Sequence, residues 1–137
     1  MNYPLSKEQY TCLYRTSHFF LITSIYAIYR GHYIISIAPG SIFLTSIIYW
    51  IEPDYSWRRY LDMAVSKTAF IYQLIVAYNS ENAKQYYIAS LTAALFYPLG
   101  IYYSIKKDYW ASTYAHMGLH LAGNLANCIL YSGMIYK

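Results

Sequence analysis

Charge is what this sequence has least of. Only 12% of its 137 residues are Asp, Glu, Lys or Arg, roughly half the usual share of a water-soluble domain. The acids are scarcest: Glu8, Glu52, Asp54, Asp62, Glu81 and Asp108 are all there are. Low charge beside high hydrophobicity excludes a disordered chain, which needs the reverse. The basic residues are scattered rather than clustered, which excludes a nucleic-acid surface. Cys12 and Cys128 stand near opposite ends, match no metal or redox spacing, and nothing asks for a disulfide. No Asn-x-Ser/Thr acceptor occurs. The first apolar run lacks a small-residue cleavage site, so it is expected to stay attached. There is no internal repeat and no low-complexity tract.

What is abundant is apolar and aromatic: 58% of the residues are hydrophobic and 20 are tyrosine. The mean hydropathy of +0.21 is modest because that index scores tyrosine as polar. Its ring is apolar with one polar tip, which suits a membrane interface. The expected class is therefore a single all-α integral membrane domain, a polytopic transmembrane helical bundle.

Charge-free or nearly charge-free stretches predict about five spans, over 16–30, 32–51, 60–78, 85–105 and 109–136. A helix needs about 20 apolar residues to cross roughly 30 Å of hydrocarbon. The first run is short and needs Arg15 and Arg30 to snorkel from its ends; four spans is the alternative count. With five, Lys7, Arg15, Arg58, Arg59, Lys106 and Lys107 fall on one side, and Arg30, Lys84 and Lys137 on the other. That asymmetry predicts a cytoplasmic N-terminus. Turns are expected at Arg30-Gly31-His32, Glu52-Pro53-Asp54, Asn79–Asn82 and Lys106–Asp108. Pro39-Gly40 and Pro98 with Gly100 predict kinks within spans.

Ionisable groups within hydrocarbon cost about 2.5–3.5 kcal/mol each on insertion scales and normally face a partner or a cavity. Here they are Asp62, Lys67, His116 and His120, with Ser46 and Asn124 as neutral companions. A helical rise of about 1.5 Å per residue puts Ser46, Asp62, His116 and His120 in the same, cytoplasmic half of the bundle. On the fifth span Ser112, His116, His120 and Asn124 recur every four residues, which puts them on one helical face. Ala115, Gly118, Ala122 and Ala126 make a neighbouring small-residue stripe that lets another helix approach. Two histidines at i and i+4 can ligate one metal ion, or simply hydrogen-bond between helices. Asp62 reads either as part of a site or as an interfacial anchor paired with Arg58 or Arg59. Lys67 reads as snorkelling or as one half of an ion pair.

Ser46, Asp62 and His116-Met117-Gly118-Leu119-His120 occur in the order found in the CREST superfamily of membrane hydrolases, which includes alkaline ceramidases and the progestin and adipoQ receptors. The sequence resembles that pattern in part. The resemblance implies a zinc ion held by His116 and His120, with Asp62 as proton shuttle and Ser46 orienting substrate or stabilising an oxyanion. It departs from the family at Trp50, which stands where a third imidazole belongs, and the bundle is two helices short. Three functions follow as expectations: a non-catalytic scaffold, subunit or membrane-organising component; a metal-dependent hydrolase of a lipid amide or ester; and a proton or small-solute pathway. The expected partners are the lipid bilayer and other membrane proteins or further copies of the chain, and not nucleic acid.

Overall fold

The computed structural model describes residues 3–137 and contains five helices: α1 (Lys7–Tyr29), α2 (Ile37–Trp50), α3 (Trp57–Ala77), α4 (Ala83–Ile105) and α5 (Tyr109–Ser132). The all-α expectation holds. Only an isolated bridge, Ser80 to Ile135, has strand-like pairing among the described residues. α5 is the hub, packing most extensively on α4 and also on α1; α1 packs on α2, and α2 on α3. α3 and α4 barely meet.

Helix boundaries follow local chemistry more closely than hydrophobic runs. α1 begins nine residues before the expected span because Ser6 and Gln9 form a capping box, in which two orphan backbone donors are satisfied reciprocally. The Ser6 amide donates to Gln9 Oε1 at 2.7 Å and the Gln9 amide to Ser6 Oγ at 3.3 Å. Lys7 and Arg15 therefore lie on a helix rather than in a tail. α1 ends in a Schellman turn: Gly31, at φ 80°, donates to the Ile28 carbonyl, and His32 to that of Ala27. α4 ends identically, with Lys107 at φ 59° in the place glycine usually takes.

α2 is shorter than expected. It starts at Ile37, so Pro39 falls in the first helical turn, where its missing N–H costs nothing. The kink expected at Pro39-Gly40 is accordingly a helix start. α4 runs through Pro98 without interruption. α5 stops at Ser132, and the segment after it turns back onto the α3–α4 loop. There Met134 donates to the Glu81 carboxylate, and Tyr136 to the Asn79 carbonyl. Arg30 donates to the Tyr131 and Ser132 carbonyls, and His32 Nε2 lies 3.0 Å from that of Gly133. The first turn thus closes the carbonyl end of α5.

The core is small and unusually mixed. Its largest apolar cluster joins Ala27, Ala77, Tyr86, Ala126, Leu130 and Tyr131 at the end where α5 finishes. Buried beside such residues are Thr16, Ser17, Thr23, Ser24, Gln73, Asn124 and Asn127. Conversely Ile22, Ile25, Ile37, Ile71, Ile88 and Leu95 are exposed. Among the described residues α4 alone is, by length and composition, apolar enough to cross a membrane, and little of it is buried; α2 is apolar but short.

The α4–α5 seam depends on missing side chains. A Cβ at Gly118 would lie 2.7 Å from the Phe96 ring, whereas one at Gly123 would meet nothing within 4 Å. Gly118→Ala should therefore destabilise the fold by about 1–3 kcal/mol through overpacking, read as loss of thermal stability in detergent. Gly123→Ala should be neutral or slightly stabilising. Equal effects from the two would show that the seam is not packed this way.

Candidate functional site

The candidate residues divide into two pairs. On α2 and α3, Ser46 Oγ donates to Asp62 Oδ1 at 2.8 Å, and Thr45 Oγ1 donates to the same oxygen at 2.9 Å. Both helices contribute because Asp62 lies on the buried face of α3, where Ala69, Gln73 and Ala77 also turn inward. A buried carboxylate needs such donors, since an unpaired one is costly in a low-dielectric interior.

Arg58 and Arg59, the alternative partners for Asp62, are engaged elsewhere. Arg58 pairs with Asp54 at 2.9 Å and donates to the Ile48 and Glu52 carbonyls, closing the end of α2. Hydrogen bonds from Ser56 and from Arg58 hold the Asp54 carboxyl below its ordinary range. The Arg59 guanidinium lies over the Tyr55 and Tyr60 rings. Arg58 and Arg59 are thus held near the start of α3 by Asp54, by the end of α2 and by tyrosine rings, while Asp62 is turned inward.

The second pair is on α5. His116 and His120 stand edge-to-face with ring centroids 4.7 Å apart. His120 is buried against Phe20, and its Nδ1 is hydrogen-bonded to Thr16 Oγ1 at 2.7 Å. One turn on, Thr23 donates to Asn124 Oδ1 at 2.9 Å. Ser112, at the other end of the ridge, instead donates to the Gly100 carbonyl of α4. The four-residue repeat therefore does not hold a single face. Each step of four overshoots the helical period by about 40°, so the ridge swings from α4 round to α1.

Between the two pairs stands Trp50. It lies one turn beyond Ser46 on α2, and its ring centroid is 5.2 Å from that of His116, edge-on. Its indole N–H is buried and has no hydrogen-bond partner among the described residues. Catalytic zinc sites take three protein ligands. Trp50 cannot serve as one, because indole nitrogen only donates. His18 does not replace it: its Nδ1 bonds to the Tyr14 carbonyl, and its ring packs on Tyr14 and Phe43. Among the described residues no three His, Cys, Asp or Glu side chains converge in a way that could hold a metal ion. The donor set is thus one ligand short of the zinc centre that the resemblance implies.

Two open grooves mark the surface, of about 550 and 470 Å³. Neither is lined by Ser46, Asp62, His116 or His120. Lys67 is exposed and joins neither pair through a hydrogen bond or ion pair among the described residues. No family model matches the sequence, and comparison with curated proteins and with solved structures returns no match.

One interaction the sequence did not single out is Tyr131 to Gln73, a buried hydrogen bond joining α5 to α3. Neither residue belongs to a recognisable pattern, and only their shared depth at the same end could have suggested it.

The Ser46–Asp62 bond can be measured. A double-mutant cycle between Ser46→Ala and Asp62→Ala should give a coupling of about 1.5–3 kcal/mol, as expected for a hydrogen bond to a charged group. Additivity of the two substitutions would place the hydroxyl and carboxylate out of contact.

Proposed function

We propose that the protein is a small multi-pass integral membrane protein, with its five helices in lipid, acting as a non-catalytic scaffold, subunit or membrane-organising component. The observation that carries this is the inversion of polarity between interior and exterior. Ile and Leu are among the residues most often buried in water-soluble proteins, yet here most of them are exposed, while Thr, Ser, Gln, Asn and His share the buried contacts between helices with Ala, Tyr and a few aliphatics. Helices in lipid associate through small residues and interhelical hydrogen bonds rather than through hydrophobic burial. α4 supplies the clearest span, and the low hydropathy of the others owes much to tyrosine and to inward hydroxyls. Trp57, Tyr60, Tyr102 and Trp110, all exposed near helix ends at one face of the bundle, fit an interfacial belt.

The scaffold reading draws on how the reactive side chains are used. His120, Asp62 and Asn124 each hold a neighbouring helix through Thr16, Ser46 with Thr45, and Thr23 respectively. The hydrolase reading has one observation in its favour, the Ser46–Asp62 hydrogen bond, and lacks a third metal donor. Detergent-purified protein should accordingly contain well under one zinc per chain, unchanged in His116→Ala/His120→Ala. Stoichiometric zinc lost in the double variant would overturn the scaffold reading.

In lipid, the charge asymmetry orients the N-terminus and the Lys106–Asp108 loop toward the cytoplasm. The protein should resist extraction from membranes by alkaline carbonate. A single cysteine at Lys107, with Cys12 and Cys128 replaced by serine, should react with impermeant reagent only from the cytoplasmic side. Release into the supernatant would overturn the membrane reading, and labelling from the opposite side would reverse the topology.

A further inference from the structure

We infer that the outward face of α3 is a docking site for a transmembrane helix of another protein, one bearing a carboxylate near the middle of the bilayer. The inference rests on the membrane reading above and starts from Lys67. This lysine is exposed at the midpoint of α3, about 15 Å from either end at 1.5 Å per residue. The ion pair found among the described residues joins Arg58 to Asp54 and leaves Lys67 out. A charge at that depth normally has a partner.

α3 is also the helix with most face to spare. It packs along α2 but scarcely touches α4, and Tyr60, Ile71 and Ile75 beside Lys67 are open. Ala64, one turn before Lys67, and Thr68, next to it, line the groove of about 550 Å³ between α2 and α3, with Ala38 and Ser41 opposite. Small residues there permit the close backbone approach on which helix pairs in lipid depend.

Charge selects the occupant. A second copy of this chain offers no acid at the right depth. Asp62 is the single acid inside the spans, and it is buried and bonded to Thr45 and Ser46. Glu8, Glu52, Asp54, Glu81 and Asp108 all lie at helix ends or in turns. Lipid phosphate is out of reach as well. The lysine stem extends only about 6 Å towards the interface, short of the roughly 10 Å along α3 that separate Lys67 from Tyr60, the nearest residue of the interfacial belt. A carboxylate on a neighbouring helix is what remains.

The test uses the full chain in phosphatidylcholine vesicles, with donor dye on a cysteine at Lys137 and with Cys12 and Cys128 replaced by serine. The probes are acceptor-labelled 21-residue Leu-Ala peptides with a central Asp or Leu. Energy transfer should show the Asp peptide associating about tenfold more tightly than the Leu peptide, the scale of an interhelical polar contact. Lys67→Leu should abolish the difference, and Lys67→Asp should transfer the preference to a peptide with a central Lys. Equal binding of the two peptides, or a preference that survives Lys67→Leu, would overturn the docking site. So would Lys67-dependent transfer between two copies of the protein, or loss of the preference when phosphatidylglycerol is added. Flotation of the same samples separates the two readings: protein that does not float with the vesicles refutes the membrane assignment, whereas protein that floats but shows no peptide preference refutes only the docking site.

Discussion

The bundle depends on polar side chains reaching across from one helix to the next. Thr16 with His120, Thr23 with Asn124, Ser46 and Thr45 with Asp62, and Tyr131 with Gln73 tie α1 to α5, α2 to α3, and α5 to α3. Each is buried or nearly so, where an unsatisfied donor or acceptor is far costlier than at a wet surface. Such bonds tolerate little sliding, since a displacement of one turn would strand several groups together. They fix register where apolar contacts alone would leave it loose, and they explain how so few buried large aliphatics can define one arrangement.

α5 can be the hub because it presents two different surfaces. Towards α4 it is small: Ala115 lies near Gly100, and Gly118 makes room for the Phe96 ring. Towards α1 it is polar. The rotation of the four-residue repeat links the two, beginning at Ser112 on the α4 side and reaching Asn124 on the α1 side. The far end of α5 is then closed by Arg30 and His32 from the first turn. Loss of that closure would free the Tyr131, Ser132 and Gly133 carbonyls, which the end of a helix leaves without internal partners.

The number of helices, their class and most of the turns were legible in the sequence because Gly31, Pro53, the Asn79–Asn82 tract and Lys106-Lys107 interrupt apolar runs plainly. Boundaries were less so, for a physical reason. Runs free of charge measure what can lie in hydrocarbon, whereas helix starts are set by capping. Ser6-Lys7-Glu8-Gln9 spells a capping box ahead of the apolar run, and Pro39 suits a first turn better than a kink. At the site, the meeting of Ser46 with Asp62 and of His116 with His120 was visible as shared depth and spacing. The partners Thr16, Thr23 and Thr45 were not, because threonine between spans carries no pattern until the faces of α1 and α2 are known.

Trp50 decides how the histidines should be understood. At a position where an imidazole would have offered a lone pair towards His116, the chain offers an aromatic edge and an N–H. Trp50 belongs to an apolar cluster with Leu13 and Tyr49, against which Tyr3, Tyr10 and Met117 pack. A side chain that fills this volume does two things at once. It offers no lone pair to a metal, and it makes the surroundings of His116 apolar and aromatic on the α2 side. His120, meanwhile, is bonded to α1 through Thr16. With one imidazole walled by tryptophan and the other tethered to threonine, the pair acts as a joint among three helices. The same aromatic bulk sets α2 against His116 of α5 at the end where α3 begins, one turn from the Ser46 that meets Asp62. Tryptophan at this place therefore supports the helix contacts on which the polar interior relies, and a lone-pair donor of smaller volume would weaken them.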